Sequence, residues 1–351
     1  MSKNIVLCLD GTGNQVKAKG NTNVLKIYEM LDLRDPDRQV AFYDAGVGTF
    51  GAYGAWIPLE YRFTKLLGLA TGWGIDTNVR EAYEYLMSTY VPGDRIFMFG
   101  FSRGAFTARL LAGMSYRAGL MRGDATNVAP YLIRSYMKGT DWSGDDWDVV
   151  DTFASTFSVQ TEGRLSMPIH FMGLWDSVKA LGLLRWDPKF PYTRQLPNAR
   201  TIRHAVSIDE KRRPYEEYLV DPATKANLTE AWFAGVHSDV GGTFDDDPSL
   251  ATISLKWMAD GALAEGLHLD PKAYARACAV DESLAQDGKV HRMGWYWAFL
   301  TYRKRPVPTG ANLHASVKVR RDSDSAYHPE LDDASMTYID EEWTKPWEFK
   351  P

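Results

Sequence analysis

The pentapeptide GFSRG, Gly100 to Gly104, sets a serine between two glycines at the spacing an enzymic hydroxyl nucleophile needs. A serine hydroxyl attacks poorly by itself. It has to project from a tight turn that a base and a pair of oxyanion donors can both reach, and a Cβ two residues before or after would strike the neighbouring strand or helix. The chemistry this permits is acyl transfer, provided that an imidazole and a carboxylate converge on Ser102. In nucleophile-elbow folds these partners follow in the order Ser, Asp or Glu, His, each at the carboxyl end of a strand. Asp176 directly follows the apolar run IHFMGLW and takes the acid position; His237 follows AWFAGV, leads into SDVGG, which reads as flexible, and takes the base position. Of the six other histidines, His170 lies in mid-strand before the acid, whereas His204, His268, His291, His314 and His328 lack a strand end followed by glycine. Asp239, two residues past His237, is a rival orienting acid whose proximity in sequence favours a local turn role.

An oxyanion hole needs two backbone N–H groups. One is expected from Arg103, the residue after the nucleophile, and the other from Gly11 or Thr12 in the turn DGTGN that follows the first apolar run. The same turn also reads as one in which Asp10 bonds its own backbone, and the two roles are compatible. LCLDGT superficially resembles the haloacid-dehalogenase phosphatase motif DxDGT. Cys8 stands where the attacking aspartate would be, which removes that chemistry. There is no GxxxxGK[ST] loop, HExxH pair or EF-hand loop, so neither cofactor nor metal is expected, and the acidic run Asp245 to Asp247 reads as a solvated turn.

Three groups so far apart in sequence meet only if several strands end at one edge. The chain supplies such strands. NIVLCL (Asn4 to Leu9) is apolar after its first residue, Val40 to Tyr43 is a second strand, and Arg95 to Phe99, Ile169 to Leu174 and Ala231 to Val236 read as buried parallel strands. Helices fit between them: one from Thr22 or Asn23, one capped by Asp76 or Thr77 and closed by Pro92 and Gly93, an Ala- and Leu-rich one over Arg103 to Arg117, and a long one from Pro248 through Leu263. Asp124 to Thr161 carries helical periodicity and is expected to form a cap. Gly46 to Gly74, rich in glycine and aromatics without a clear period, is expected to cross the surface as a lid or substrate wall, with Trp56 and Trp73 as apolar walls for an acyl chain. The expectation is one α/β domain over residues 1–351, an α/β-hydrolase-like, mostly parallel sheet flanked by helices, with insertions at 46–74, 121–165 and 179–228.

Composition narrows the partners. The 351 residues carry 40 Lys+Arg against 45 Asp+Glu, a net charge of -5, so no basic field gathers phosphate backbones and nucleic acid is not expected as a partner. The two cysteines, Cys8 and Cys278, make no disulfide framework and no zinc spacing, and a reducing compartment is the default. The apolar run at the amino terminus breaks at Asp10, too early for a secretory signal, which leaves the cytoplasm as the expected location on synthesis and export only by a route independent of a signal peptide. Gly54 to Ile75 is interrupted by Glu60, Arg62 and Lys65 and holds Pro58, so it does not span a bilayer; any membrane contact is expected to be transient and at the surface.

The motifs LDGTGN, YDAGVGT, GWGIDTNVREAYEYL, GDRIFMFGFSRGAFTARLLAGM, GLWDSV, RHAVSIDEKRRPY and WFAGVHSDVGG stand in the order in which the catalytic domain of the type VI secretion phospholipase effectors has them. The chain resembles that bacterial family densely from Ile5 to about Gly242, and GWYW and LHASVKVR further on look similar as well. The resemblance implies Ser102 as nucleophile, Asp176 in WDSV as triad acid and His237 in GVHSDVGG as base, the same assignment that order and strand ends give. It implies an esterase or lipase acting on acyl esters, with phospholipase A activity as the special case and a lipid or other ester as substrate. The competing expectation is a non-catalytic binding or scaffolding module on the same fold.

Overall fold

Strand β1 (Asn4–Leu9) turns Ile5, Leu7 and Leu9 to one side and Val6 and Cys8 to the other, and all five are out of contact with solvent. A strand buried on both faces needs a helical layer on each side of its sheet. A computed structural model describes residues 2–11, 16–46, 74–139, 142–160, 165–179, 189–292 and 303–349. In it β1 joins β2 (Gln39–Asp44), β3 (Arg95–Phe101), β6 (Ile169–Trp175), β7 (Ala199–Ser207), β8 (Asn227–Phe233), β9 (Asn312–His314) and β10 (Thr337–Ile339) in one sheet of order β2-β1-β3-β6-β7-β8-β9-β10. Every neighbouring pair is parallel. Two short strands, β4 (Leu120–Met121) and β5 (Ser158–Val159), pair antiparallel outside it.

Parallel neighbours demand crossovers, and the helices supply them. On the Ile5 side lie α2 (Ile75–Thr89), α3 (Arg103–Ala118), α4 (Ala129–Tyr136) and α5 (Gly144–Phe157), sharing one core with Met98, Met172, Leu174 and Ile202. On the Val6 side lie α1 (Asn23–Met30), α7 (Ser249–Ala264), α8 (Pro271–Ala277) and α9 (Glu282–Gln286), packed on Phe97, Phe99, Phe171 and Trp175. A short helix α6 (His237–Gly241) follows β8, and α10 (Ala315–Ser323) follows β9. Because β1 lies between β2 and β3, the chain reverses the direction of sheet growth there, and open α/β sheets bind ligands in the crevice outside the strand ends at such a point. Among the described residues no helix is long and apolar enough to cross a membrane.

Two expectations need correction, and one part of the sheet was not foreseen. The interval 179–228 is not one insertion, since β7 in its middle is a core strand paired with both β6 and β8. Its polar residues Arg200 and Arg203 interrupt the apolar run that marks the other central strands. The segment 121–165 is not a cap over the strand ends. It packs on the distal half of α3, with Arg117 on Asp151 at 2.5 Å and the Tyr136 hydroxyl against Gly113, so it widens the helical layer at the end remote from Ser102. The residues after α7, which show no pattern in sequence, extend the sheet through β9 and β10, three-residue strands too short to show a period. Most of the stretch 46–74, with Trp56 and Trp73, lies outside the described residues.

Candidate active site

Ser102 occupies the single residue between β3 and α3, with φ 59° and ψ −123°, a backbone conformation that L residues adopt only when their surroundings force it. The flanking glycines show what forces it. A Cβ on Gly100 would lie 2.6 Å from Ala105 Cα, and one on Gly104 would overlap the carbonyl oxygen of Leu9 in β1. The Ser102 N–H is held by the Trp175 carbonyl of β6 at 3.0 Å, tying the turn to the strand whose end carries the acid.

Asp176 is the first residue after β6, also at positive φ, 40°, with its N–H donating to Ala205 O at 2.7 Å. His237 opens α6, four residues past the end of β8, and its backbone N–H donates to Glu210 Oε2 at 3.2 Å. The imidazole is buried between the rings of Phe101 and Tyr215, with centroids at 4.6 and 4.8 Å. Its Nε2 is 2.8 Å from Ser102 Oγ and its Nδ1 2.5 Å from Asp176 Oδ2. An ionised carboxylate only accepts, so Nδ1 carries the proton and Nε2 is left to accept from the serine hydroxyl. The sequence SDVGG, expected to be flexible, is instead a buried helical turn: the Asp239 carboxylate accepts from Val236 N at 2.9 Å, and a Cβ on Gly241 would overlap the Phe101 ring.

Burial alone would raise the Asp176 carboxyl, but the charge of Arg305, with the bonds from His237 and Arg305, overrides it and holds the group well below the usual carboxylate range. For His237 burial dominates and lowers the imidazole below its ordinary value, against the pull of Asp176. The arrangement is therefore an anionic acid, a neutral base and a hydroxyl in one line, able to move the serine proton onto Nε2.

The remaining expected groups divide. The Arg103 N–H is the first of α3 and has no acceptor within the helix. The Gly11 N–H donates to Asp10 Oδ1 at 2.6 Å, so this donor is engaged within its own turn; Thr12 lies outside the described residues. Asp10 is further held by Thr22 Oγ1 at 2.5 Å and Tyr43 Oη at 2.9 Å, which fixes the turn after β1. The rival acid Asp239 bonds His291 Nδ1 at 2.5 Å rather than His237. His170, His204 and His314 are bonded to Glu265 O, Glu230 and Ser316. Asp246 and Asp247 of the acidic run bond His291, Lys289 and the Ser249 N–H, and among the described residues no group of three or more metal-binding side chains gathers. Cys8 and Cys278 are buried free thiols.

Sequence reasoning missed the shell behind these groups. Arg305 grips both Asp176 oxygens, Ser207 N donates to Asp176 Oδ1 at 2.9 Å, and Glu210, paired with Arg212 at 2.7 Å, accepts from the His237 backbone. The alternation of Glu210 with Arg212 in SIDEKRRPY is a local signal for the last pair; Arg305 has none, being one cation in a basic cluster 129 residues from its partner.

An eight-stranded parallel sheet with helices on both faces, and with a serine, a histidine and an aspartate hydrogen-bonded in series at its carboxyl edge, defines an α/β protein built around one polar site. Residues 3–261 match the family described as "T6SS, Phospholipase effector Tle1-like, catalytic domain", and the chain belongs to that family. The chain is 36% identical over 226 residues to YEL023C of Saccharomyces cerevisiae, a protein described as uncharacterized; the match covers 63% of this chain and 33% of that one, so the chain spans about a third of that relative's length. With a relative in yeast, membership does not tie the chain to a bacterial source. Two solved structures are similar. One is an uncharacterized protein from Pseudomonas aeruginosa (17% identity, TM-score 0.48, 85% of this chain and 50% of that one). The other is the Tle1 effector bound to the VgrG spike of the type 6 secretion system (14% identity, TM-score 0.49, 85% of this chain and 83% of that one).

Proposed function

We propose that this chain is a serine ester hydrolase that works through an acyl-enzyme formed on Ser102. The observation that carries the reading is the unbroken series Ser102 Oγ to His237 Nε2 at 2.8 Å and His237 Nδ1 to Asp176 Oδ2 at 2.5 Å. In the first half-reaction His237 takes the Ser102 proton as Oγ attacks the ester carbonyl carbon, and Asp176 stabilises the imidazolium that results. The Arg103 N–H, at the positive end of α3, faces the developing oxyanion, whereas the Gly11 N–H is already taken by Asp10 Oδ1. Collapse breaks the bond to the alcohol, which leaves with the proton from His237; water, deprotonated by His237, then releases the carboxylic acid and restores Ser102.

Membership of a phospholipase effector family supports a glycerophospholipid as substrate and phospholipase A as the specific activity. Two measurements test the reading in sequence. Folded protein is expected to label at Ser102 with an alkyl fluorophosphonate, and absence of label would return the chain to the class of binding modules. Fatty-acid release from phosphatidylcholine and phosphatidylglycerol vesicles is then compared with hydrolysis of p-nitrophenyl butyrate. Release from vesicles is the expected result; cleavage of the soluble ester alone would leave an esterase and remove the phospholipase.

A further inference from the structure

The carboxylate of Asp176 meets a second set of partners from a part of the chain beyond the family match at residues 3–261. Arg305 presents Nη1 to Asp176 Oδ1 at 2.5 Å and Nη2 to Oδ2 at 3.0 Å, a two-pronged grip, while its side chain is 3% exposed. The guanidinium is itself fixed on the far side: Nη1 reaches Ser207 O at 3.1 Å and Ser207 Oγ at 2.8 Å, Nη2 reaches Tyr215 O at 2.5 Å, and Nε lies 3.7 Å from Glu217 Oε2. The strand of chain that bears it is tethered two residues earlier, where Arg303 N donates to Lys211 O at 2.7 Å and Arg303 Nη1 pairs with Glu216 at 2.9 Å.

We propose that Arg305 is a positioning residue for the hydrolytic site, setting the plane and the charge of Asp176 so that Oδ2 meets the Nδ1–H of His237. The proposal rests on the serine-hydrolase reading given above. A carboxylate turns easily about its last bond, and the Ser207 N–H on Oδ1 leaves that rotation open. Two parallel N–H donors on both oxygens close it, which a planar guanidinium does and an ammonium does not. The cation has a second effect. It keeps Asp176 ionised in a buried place, and by balancing that charge it weakens the hold of the Asp176–His237 pair on its last proton, so the base is free at lower pH. The other groups facing His237 are Glu210 beneath its backbone, Arg212 paired with Glu210, the Tyr215 phenol against one face of the ring, and the Ser102 hydroxyl; Asp239 on α6 itself is turned to His291. Arg305 also holds the Tyr215 carbonyl and its charge acts on Glu210, so the Asp176→Asn background is what separates those effects from the one carried through Asp176.

The test is the second-order rate of labelling of the full chain by an alkyl fluorophosphonate between pH 4 and pH 9. Wild type is compared with Arg305→Met, Arg305→Lys, Asp176→Asn and the double variant Asp176→Asn/Arg305→Met. Arg305→Met is expected to label about 10²-fold more slowly, the loss typical of a misplaced catalytic group, with its pH midpoint higher by about one unit. Unfolded material lowers the amount of label and leaves that midpoint where it is. Arg305→Lys, keeping the charge without the fork, is expected to label slowly at the wild-type midpoint. In the Asp176→Asn background the Met substitution is expected to cost nothing more, because the group through which Arg305 acts has gone. An Arg305→Met variant with wild-type rate and midpoint overturns the proposal, as does a loss with unmoved midpoint that recurs in full beside Asp176→Asn. Should Arg305→Met fail to fold, Arg305→Lys decides: slow labelling supports the proposal and wild-type labelling ends it. Failure of folded wild type to label overturns the hydrolase reading and this proposal together, so the two failures are distinct.

Discussion

Ser102 and Asp176 are both held at positive φ, and neither is a glycine. Backbone of that kind costs of order 1–3 kcal/mol per residue and persists where surrounding structure enforces it, as functional sites do. Here the enforcement is visible in the bonds Ser102 N to Trp175 O and Asp176 N to Ala205 O, which lock each turn to the next strand. Replacing Ser102 by Ala is expected to abolish fluorophosphonate labelling and to lower ester turnover about 10⁴-fold or more while leaving the urea midpoint close to wild type, since the exchange removes one hydroxyl from a partly exposed side chain. The pH profile follows from His237. Burial lowers its pKa, and only the neutral ring accepts the serine proton. Activity therefore rises as pH increases through that lowered value, and the acid limb of kcat/KM is expected below the ordinary histidine value of about 6.5. A limb at 7 or above, measured on p-nitrophenyl butyrate, would show that the pull of Asp176 outweighs burial. The acid offers no competing limb in that range, because Asp176 is held ionised far below it.

At the scale of elements, the site depends on how closely α3 can approach β1. Gly104 is the contact point, and a methyl group there would occupy the space of the Leu9 carbonyl. Gly104→Ala is expected to destabilise the protein by about 1–3 kcal/mol, the usual cost of overpacking, and to slow labelling by displacing the turn at Ser102. Gly144→Ala, at the first position of α5 with nothing within 4 Å, is the control, expected to be neutral or slightly stabilising in the same urea titration. This dependence on approach explains what the sequence could and could not tell. The turn at Ser102 was legible because its requirement is local: an apolar strand, two small residues and a helix in continuous order. Asp176 and His237 were legible as strand ends because β6 and β8 finish in unbroken apolar runs. The helical turn of α6 was not, since SDVGG is poor in helix formers and folds only with Asp239 capping it and Gly241 against Phe101. β7 was half-legible, its apolar residues interrupted by Arg200 and Arg203, the second of which lies over Trp257 and donates to its carbonyl. Arg305 was invisible, because a cation gripping a carboxylate 129 residues away leaves no trace in local spacing.

For the molecule as a whole, the sheet does not end where the family match does. The match stops at residue 261, inside α7, yet β9 and β10 continue the sheet past β8. Leu313 of β9 and Val317 of α10 pack with Val206, Ile208 and Trp232 in a third cluster of the core. Arg320 of α10 returns to the carbonyls of Ala285 in α9 and Gly288 just after it, and Arg305 returns to Asp176. The carboxyl-terminal part thus closes the open edge of β8, covers one core cluster and grips the acid of the site. Removing residues 293–351 is expected to uncover the hydrogen-bonding edge of β8 at Ala231 and Trp232 together with the apolar side chains of that cluster, an exposed strand edge of the kind that recruits other chains. The shortened chain should aggregate, or unfold at much lower urea than the full chain, and should not label with fluorophosphonate at a measurable rate. Light scattering, urea titration and labelling on the two chains side by side measure this. A soluble, cooperatively unfolding 1–292 chain that labels at the wild-type rate would show that the matched region is sufficient for both fold and site, and that β9, β10 and Arg305 are additions rather than parts of either.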